Sequence, residues 1–304
     1  TLPFVYRPAA AEVDLHEWAG ANRAALETRL HETGGLLFRG FGIDSPGPFE
    51  RLARLFCGDL LEENGEHQHE AGHVFTPVFY SPERKLLWHN ENSFNSRWPG
   101  KILFACARPA DRGGETPIAD SREVHRRIDP SVRARFAARG VLYQRVYGAG
   151  LGLDWRAVFG STDRSEVAAR ARAEGFECAW LPGDRLRTRC VRPAVLAHPV
   201  TGEPSWFNQA QHWHPSCLDD ATRRSLEAFY PPEEMPRHCF LGDGSPIADG
   251  EMSGILDVYR QVEVAFPWEQ GDVLVLDNVL TAHARNAYSG RRKILVALGD
   301  MQPR

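Results

Sequence analysis

The stretch 271–278, GDVLVLDN, limits the possible folds of this chain more than any other segment. Val273 and Val275 alternate with Leu274 and Leu276, so both faces of the predicted strand are apolar. A strand of this kind is stable only where other layers cover both faces. The sequence therefore predicts a layered protein with this strand buried between its layers.

Strands and helices share the rest of the chain. Extended apolar runs predict strands at 36–41, 101–107 and 115–120, and a β-meander over 176–210. Helical spacing predicts helices at 14–32, around 49–56 and at 219–229, and charged, alanine-rich segments predict surface helices at 121–139 and 161–175. With no repeat or linker, residues 1–304 are expected to form a single α+β domain. The architecture we expect is a double-stranded β-helix, the jelly roll of cupin-like proteins, with flanking helices and helical insertions at about 121–175.

The segment 62–85 is polar and rich in prolines, and it contains His67, His69 and His73. Unstructured loops of this length are uncommon unless they are lids or binding loops. The three histidines have no carboxylate or thiolate arranged around them, which argues against a metal site of their own. A substrate lid at about 62–85 is the preferred interpretation.

Charge and composition exclude several classes of function. A net charge of −4 without blocks of like charge argues against a nucleic-acid-binding surface. No apolar segment approaches the roughly 20 residues of a membrane span, and the N-terminal residues lack the apolar centre expected of a signal peptide. The six cysteines lack C-x-x-C spacing, which favours reduced thiols. We expect a soluble cytoplasmic protein that binds a small molecule.

The run WHNENSF at 88–94 carries the first chemical signal. In an extended strand, His89 and Glu91 leave the same face, as two neighbouring ligands of one metal ion must. With 12 histidines and 40 acidic residues, chance gives roughly one or two such pairs. Only His89 has an acid two places on, and an ion pair at a strand edge or a buried structural histidine is the alternative interpretation.

His283 follows the apolar strand, and Arg291-Arg292-Lys293 follows eight to ten residues later, before the apolar run 294–298. Two histidines and one carboxylate form the facial triad of non-haem Fe(II) oxygenases. A basic cluster at the start of an apolar strand is costly unless an anion meets it, and a dicarboxylate cosubstrate would supply one. Three ordinary surface charges at a strand end are the alternative.

Four motifs in this order resemble one known family: WHNENSF at 88–94, GGETPIAD at 113–120, WFNQ at 206–209 and WEQGDVLVLDNVLTAHARNAYSGRRKILVAL at 268–298. The chain looks like a member of the taurine dioxygenase-like (TauD/TfdA) branch of the Fe(II)/2-oxoglutarate oxygenases, from about Gly34 onward. Taurine dioxygenase has His-x-Asp, whereas this chain has His-x-Glu. In this respect it is similar to clavaminate synthase-like amino-acid hydroxylases. The residues of its WHNENSF and GGETPI motifs are most similar to those of the oxygenases of syringomycin-type pathways.

The resemblance implies a role for five residues. His89, Glu91 and His283 would bind iron and be the catalytic residues. Thr116 and Arg292 would hold the distal carboxylate of 2-oxoglutarate. If the match between this chain and the family motif is shifted by one residue, the role of Arg292 would fall to one of its two basic neighbours, Arg291 or Lys293.

The resemblance also implies the reaction. The enzyme would use Fe(II), 2-oxoglutarate and O2 to hydroxylate an unactivated C–H bond, with release of succinate and CO2. The substrate would be an amino acid or a peptide-like metabolite of specialised biosynthesis, either free or bound to a carrier protein. The carboxylate at position 91 argues against halogenation, because halogenases of this superfamily leave that coordination position open for chloride.

Four polar residues are candidates for substrate binding. Arg285 lies two residues after His283 and would meet a substrate carboxylate if the strand continues. Asn208 and Gln209 end the meander, and Asn92 flanks the metal motif. Neutral amides of this kind can bind an ammonium or a carboxylate group. Each of the four has an alternative interpretation as a turn or strand-end residue.

Four other functions are compatible with parts of this pattern. An epoxidase or a desaturase would use the same ligands and cosubstrate. A zinc hydrolase would use the same triad but leaves Arg292 without a role. A non-catalytic sensor with a jelly roll has no need of an intact ligand set. Oligomeric state is not readable from the sequence.

Overall fold

The computed structural model describes residues 2–10, 12–62, 67–148 and 153–303. Its strands in this part of the chain are β1 (Phe4–Tyr6), β2 (Gly35–Phe38), β3 (Gln68–Ala71), β4 (Val74–Thr76), β5 (Leu86–His89), β6 (Arg97–Arg108), β7 (Arg112–Gly113), β8 (Ile118–Asp120), β9 (Val141–Tyr147), β10 (Glu177–Leu181), β11 (Arg185–Arg192), β12 (Val195–Ala197), β13 (Pro204–Trp206), β14 (Arg237–Leu241), β15 (Val273–Asp277), β16 (Thr281–Arg285), β17 (Tyr288–Ser289) and β18 (Lys293–Pro303). Its α-helices are α1 (Leu15–Ala21), α2 (Arg23–Thr33), α3 (Pro46–Phe56), α4 (Ser121–Arg127), α5 (Pro130–Arg139), α6 (Trp155–Phe159), α7 (Arg164–Ala173), α8 (Asp220–Phe229) and α9 (Asp249–Val262).

The apolar stretch 271–278 forms β15 near the middle of the largest sheet, whose order is β1-β2-β15-β6-β18-β4-β3. Val273 and Val275 pack in one hydrophobic cluster with helices α1 to α3. Leu274 and Leu276 pack in a second cluster on the opposite face. All four side chains are fully buried. The prediction of a strand covered on both faces is confirmed.

The predicted helix over 14–32 is two helices, and the break falls at Asn22, the polar interruption of its apolar face. Asn22 closes α1 by donating from its backbone N–H and from its side-chain amide to Trp18. The second helix ends at Gly34, whose φ of 79° gives the left-handed cap that the Gly34-Gly35 pair predicts. The helices cover the outer face of the large sheet.

A three-stranded sheet, in the order β5-β16-β8, lies on the inner side of the large sheet. Ile118 of β8 belongs to the hydrophobic cluster that includes Leu274 and Leu276 of β15. The ring of Phe104, from β6, lies 5.2 Å from the ring of His283, from β16. The two histidine-bearing strands therefore face the interior between two sheets.

The region 121–175, predicted to contain helical insertions, includes α4, α5, α6 and α7, with residues 149–152 outside the described part. Asp129-Pro130 separates α4 from α5, since proline starts a helix well but cannot continue one. Strand β9 also lies in this region, and it joins a four-stranded sheet in the order β10-β11-β9-β14. Strand β14 and helix α9 have no counterpart in the sequence prediction.

The segment 62–85 contains a β-hairpin, made of β3 and β4, instead of a loop without regular structure. Every residue of β3 is exposed, so the strand lacks the apolar alternation by which strands are recognised. Residues 63–66 of the predicted lid lie outside the described residues.

In the described part of the chain, no helix has both the length and the apolar character of a membrane span.

Candidate metal centre

Three side chains meet between the two sheets. His283 lies directly opposite His89 on neighbouring antiparallel strands, and their ring centroids are 4.2 Å apart. The Oε2 atom of Glu91 lies 3.7 Å from Nε2 of His89 and 3.6 Å from Nε2 of His283. The structure thus brings together the three residues that the sequence singles out, all buried.

The local conformation differs from the predicted extended run. Strand β5 ends at His89, and Glu91 begins a turn in which Asn92 has a φ of 57°. The side-chain amide of Asn278 fixes this turn, because its Oδ1 accepts from the Glu91 N–H at 2.7 Å and its Nδ2 donates to the Glu91 carbonyl at 3.0 Å. Glu91 reaches the histidines from a clamped turn, so the assumption of a continuous strand was wrong.

One backbone carbonyl fixes the protonation of two rings. The Leu87 carbonyl lies 2.9 Å from Nδ1 of His89 and 2.9 Å from Nε2 of His212. A carbonyl can only accept, so both nitrogens carry hydrogen. The lone pair of His89 is consequently on Nε2, which faces Glu91, as a metal ligand requires.

The charge states suit a cation. Burial opposes ionisation of Glu91, but the surrounding imidazoles, His89 first, outweigh it and lower the pKa of Glu91 to about 2. Burial, reinforced by His89, lowers the pKa of His283 well below its usual value. Burial and His89 also lower the pKa of His212 to about 3. Near neutral pH, the cluster therefore offers the Glu91 carboxylate and the neutral imidazole of His283.

The spacing of the three donor atoms fits one metal ion. They lie within 4.8 Å of one another. Two atoms bound to the same cation at about 2.1 Å each lie at most about 4.2 Å apart, and both distances to Glu91 meet this limit. Two histidines and one carboxylate on one side of an ion leave its other positions open, the arrangement found in non-haem Fe(II) oxygenases.

A second group, His31, His198 and Asp277, has similar spacing but is suited to structural support. The Thr201 N–H donates to Nδ1 of His198 at 3.0 Å, so the hydrogen of this ring is on Nε2. That nitrogen lies 2.9 Å from Asp277, to which it donates. The ring has no lone pair left for a cation.

Arg292 is the half-buried member of the basic cluster. Its Nε donates to the Gly114 carbonyl at 2.9 Å, and its guanidinium lies 5.6 Å from the ring centroid of Tyr288. Burial, followed by the charge of Arg285, lowers the pKa of Arg292 to about 10. Among the described residues, no carboxylate forms an ion pair with it. A partly desolvated cation without an acidic partner of this kind favours an anionic ligand.

Other groups nearby fit the same interpretation. Arg291 and Lys293 are exposed, and Lys293 pairs with Glu70. Thr116, two residues after the glycine that accepts from Arg292, is buried. Its hydroxyl oxygen accepts a hydrogen bond from the indole of Trp268 at 3.2 Å, so its own hydrogen is available to a carboxylate.

The amides at the end of the meander are occupied by the protein itself. Asn208 donates to the Ala194 carbonyl and accepts from the Ala210 N–H. Gln209 donates to the carbonyl of Asn90, the residue between His89 and Glu91, at 2.9 Å. Both amides therefore support the backbone around the cluster.

Arg285 lies on β16, as the sequence suggests, but its two terminal nitrogens donate to five backbone carbonyls, those of Tyr80, Ser81, Pro82, Arg84 and Asn286. It fastens the end of the predicted lid to the strand that carries His283. The Asn92 amide is buried and has no hydrogen-bond partner in the described part of the chain. Of the four predicted substrate residues, Asn92 is the one with an unused side chain.

Sequence reasoning missed three residues around the cluster. His212 packs on His89 with ring centroids 4.7 Å apart. Asn278 holds the backbone of Glu91 through hydrogen bonds. The sequence feature that could have pointed to Asn278 is its position directly after the buried strand. His67, from the predicted lid, lies near enough for its charge to lower the pKa of both Glu91 and His283.

Comparisons with known proteins place the chain among oxygenases. The family model described as "Taurine catabolism dioxygenase TauD, TfdA family" matches residues 3–298. The dapdiamide synthesis protein DdaC of Enterobacter agglomerans is 35% identical over 274 residues, which is 89% of this chain and 83% of that protein. A clavaminate synthase-like protein of Arabidopsis thaliana is 29% identical over 291 residues, with 90% and 83% covered.

Solved structures show the same fold. The PvcB protein of Pseudomonas aeruginosa superposes with a TM-score of 0.55 at 17% identity, covering 97% of this chain and 84% of that one. AAD-2, solved in complex with Mn(II) and N-oxalylglycine, gives a TM-score of 0.53 at 15% identity, with 100% and 96% covered.

Proposed function

The chain belongs to the TauD/TfdA family of dioxygenases that use Fe(II), 2-oxoglutarate and O2, and on this premise we propose that it oxidises a C–H bond of an amino acid or an amino-acid-derived metabolite. The observation that carries the proposal is the convergence of His89, Glu91 and His283, in a structure where the half-buried Arg292 has no acidic partner among the described residues. The double-stranded β-helix predicted from the sequence is the architecture we propose for its two facing sheets.

His89, Glu91 and His283 are the proposed iron ligands. The Leu87 carbonyl holds His89 in the tautomer that presents Nε2, and Asn278 holds Glu91 at the end of its turn. Ligand orientation is therefore set by the protein before any ion binds. Bound Fe(II), with 2-oxoglutarate, supplies the activation of O2, and the protein supplies orientation and a dry site.

Thr116 and Arg292 are the proposed contacts of the distal carboxylate of 2-oxoglutarate. The hydroxyl of Thr116 has its hydrogen free, and the terminal nitrogens of Arg292 have no acid partner in the described residues. Planar guanidinium groups bind carboxylates through two parallel hydrogen bonds. The same two residues would orient the cosubstrate toward the cluster, and its oxidative decarboxylation, with one oxygen atom of O2 entering the new carboxylate, would give succinate and CO2.

The interior beside the cluster is apolar. The Phe104 ring packs against the His283 ring, with centroids 5.2 Å apart. Exclusion of water strengthens electrostatic contacts to a bound anion. For the substrate, we keep Asn92 as a proposed contact, and we propose that Arg285, Asn208 and Gln209 position the backbone around it.

Specialised biosynthesis is the proposed setting, because the similar DdaC protein is named for dapdiamide synthesis. Hydroxylation is the reaction we propose first. The proposed substrate is either free or bound to a carrier protein. Epoxidation or desaturation would need the same ligands and is the second candidate. Product analysis separates the three, since hydroxylation adds one oxygen atom, desaturation removes two hydrogen atoms, and epoxidation converts an alkene.

Family membership argues against the zinc hydrolase and the non-catalytic sensor. The direct test is addition of Fe(II) and 2-oxoglutarate to the metal-free protein without oxygen. We expect the weak visible charge-transfer band of the iron–keto-acid chelate to form, and we expect His89→Ala to abolish it.

The matched control is His69→Ala, which removes a histidine from the exposed strand β3 and should leave the band intact. A full band in His89→Ala would remove this residue from the proposed ligand set. Absence of the band in the unchanged protein would contradict the use of iron and 2-oxoglutarate at this site.

A further inference from the structure

The short 3₁₀ turn Ala210–His212 binds β5, an edge strand of the three-stranded sheet. An edge strand leaves part of its backbone without a partner in the sheet. The side-chain amide of Gln211 donates to the carbonyl of Trp88. Nε2 of His212 lies 2.9 Å from the carbonyl of Leu87. Two side chains of one turn thus bind neighbouring peptide groups of this strand.

The turn is itself held by the four-stranded sheet. The N–H of Gln209 donates to the hydroxyl oxygen of Tyr143, on β9, at 2.9 Å. The thiol of Cys239, on β14, donates to the Ala210 carbonyl, with 3.4 Å between sulfur and oxygen. The His212 N–H donates to the Gln209 carbonyl at 2.9 Å. The imidazole of His212 therefore extends from a backbone that is bonded on several sides.

The carbonyl of Leu87 receives two imidazoles. Besides Nε2 of His212, Nδ1 of His89 lies 2.9 Å from this oxygen. Both nitrogens donate, because a carbonyl oxygen can only accept, and both of its lone pairs are thereby in use. Hydrogen bonds polarise the groups that form them, so two donors at one oxygen compete for its electron density. The hydrogen bond of His89 is consequently weaker than it would be if His89 had this oxygen to itself.

The strength of this hydrogen bond affects His89 as a ligand. An acceptor at one ring nitrogen fixes the tautomer and raises the basicity of the other nitrogen. For His89 the other nitrogen is Nε2, which lies 3.7 Å from Glu91 in the candidate metal centre. The rings of His212 and His89 also pack together, with centroids 4.7 Å apart and an interplanar angle of 62°. His212 can thus act on His89 in two ways, by hydrogen bonding and by packing.

We propose that His212 is a positioning residue for the proposed metal ligand His89, and that it acts through the Leu87 carbonyl that both imidazoles share. Its N–H holds this carbonyl in place and limits the basicity that His89 gains from it. His212 itself does not bind the metal. The inference rests on the proposed function, and it deepens that function by assigning a residue that sets how strongly one ligand donates to the ion.

Two substitutions separate hydrogen bonding from packing. His212→Phe keeps an aromatic ring beside His89 but removes the N–H donor. His212→Gln removes the ring but keeps a donor, since Nε2 of glutamine can occupy the position of Nε2 of histidine. A role through the shared carbonyl predicts a change in His212→Phe and none in His212→Gln. A role through packing alone predicts the reverse.

The first readout is the nitrogen-15 resonance of Nδ1 of His89 in the full chain without metal. The histidines are labelled with nitrogen-15, the resonance is detected through the carbon-bound ring protons, and His89→Gln assigns it. In His212→Phe the hydrogen bond of His89 should strengthen, and the resonance should shift to higher frequency. In His212→Gln it should stay at its position in the unchanged protein.

The second readout is the charge-transfer band of the iron–2-oxoglutarate chelate. A more basic His89 raises the energy of the iron d electrons, which lowers the energy of their transfer to the keto acid. The band should therefore move to longer wavelength in His212→Phe and keep its position in His212→Gln. If His212→Phe does not fold, His212→Met, which also lacks a donor, replaces it with the same two expectations.

Gln211→Met is the matched control, because it removes a hydrogen bond between the same turn and the same strand but leaves the shared carbonyl untouched. It should change neither readout. The proposal is overturned if the Nδ1 resonance does not move in His212→Phe, or if it moves equally in His212→Gln or in Gln211→Met.

Failure of the proposed function would be recognised separately. In that case the charge-transfer band would be absent from the unchanged protein. The Nδ1 resonance of His89 needs neither iron nor 2-oxoglutarate, so its comparison between His212→Phe and His212→Gln would still decide whether the two imidazoles compete for one carbonyl.

Discussion

The side chain of Asn278 binds both backbone polar groups of Glu91, accepting from its N–H at 2.7 Å and donating to its carbonyl at 3.0 Å. Asn278→Ala leaves both groups buried without a partner and frees the turn. Loss of such support for a ligand typically lowers metal affinity about 10- to 100-fold. We expect this loss in an Fe(II) titration, with no comparable change in Asn22→Ala. Unchanged iron affinity would show that Asn278 has no part in positioning Glu91.

Arg292→Ala should weaken 2-oxoglutarate binding about 10- to 100-fold, because hydrogen bonds to charged groups contribute about 1.5–3 kcal/mol. Titration of the visible band with 2-oxoglutarate measures this affinity. Arg291→Ala removes an exposed neighbouring charge and is the control. If the two variants lose equal affinity, the assignment of the cosubstrate to Arg292 is wrong.

Arg285→Leu should release the segment Tyr80–Arg84 from β16, since four of the five carbonyls that Arg285 binds belong to it. We expect faster amide hydrogen exchange in this segment, and the free energy of unfolding should fall by at least about 2 kcal/mol. If the amide exchange rates match those of the unchanged protein, Arg285 does not hold this segment on β16. Arg285 would then again be a candidate for substrate binding.

The stability of the metal-free protein should depend on His214. Burial lowers the pKa of this ring, whose Nε2 lies 2.9 Å from the Ile247 carbonyl, below its usual value of 6.5. Because the unfolded chain binds the proton first as the pH falls, stability is complete above pH 6.5 and declines below it, toward the lowered folded-state pKa.

One such group contributes a slope of up to about 1.4 kcal/mol per pH unit. Urea unfolding of the unchanged protein and of His214→Gln at pH 7.5 and pH 5.5 measures it. The loss on acidification should be smaller in the variant, and comparison within each protein cancels the packing cost of the substitution. An identical loss in both proteins would exclude His214 as a source.

His198→Gln should leave the metal content unchanged at one ion per chain. The ring of His198 is committed to Asp277 and Thr201, so this group offers no place for a second ion. Elemental analysis after equilibration with Fe(II) or Zn(II) measures the stoichiometry. A second equivalent that disappears in His198→Gln would contradict the structural role.

The sequence predicted the buried strand and the members of the metal cluster because both leave a local signature. GDVLVLDN is apolar on both faces, and His89 and Glu91 are separated by one residue. The turn at Glu91 was not predictable, since the amide that fixes it comes from Asn278, 187 residues away in the chain. Side-chain pairing over such distances has no trace in local periodicity.

Two elements were missed for a related reason. Strand β14, with the sequence RHCFL, is only five residues long and does not alternate apolar with polar residues, and helix α9 contains Gly250 and Gly254, which weaken a helical pattern. Both elements are stabilised by packing against the core formed by other parts of the chain.

The pairing of His283 with His89 across two antiparallel strands determines how the enzyme should respond to loss of its metal. Backbone register, and not the ion, sets the separation of these two imidazoles, in contrast to small zinc domains that unfold when stripped of metal. If iron were lost to oxidation or to a chelator, the metal-free protein would stay folded and could bind iron again. Inactivation by metal loss should therefore be reversible without refolding.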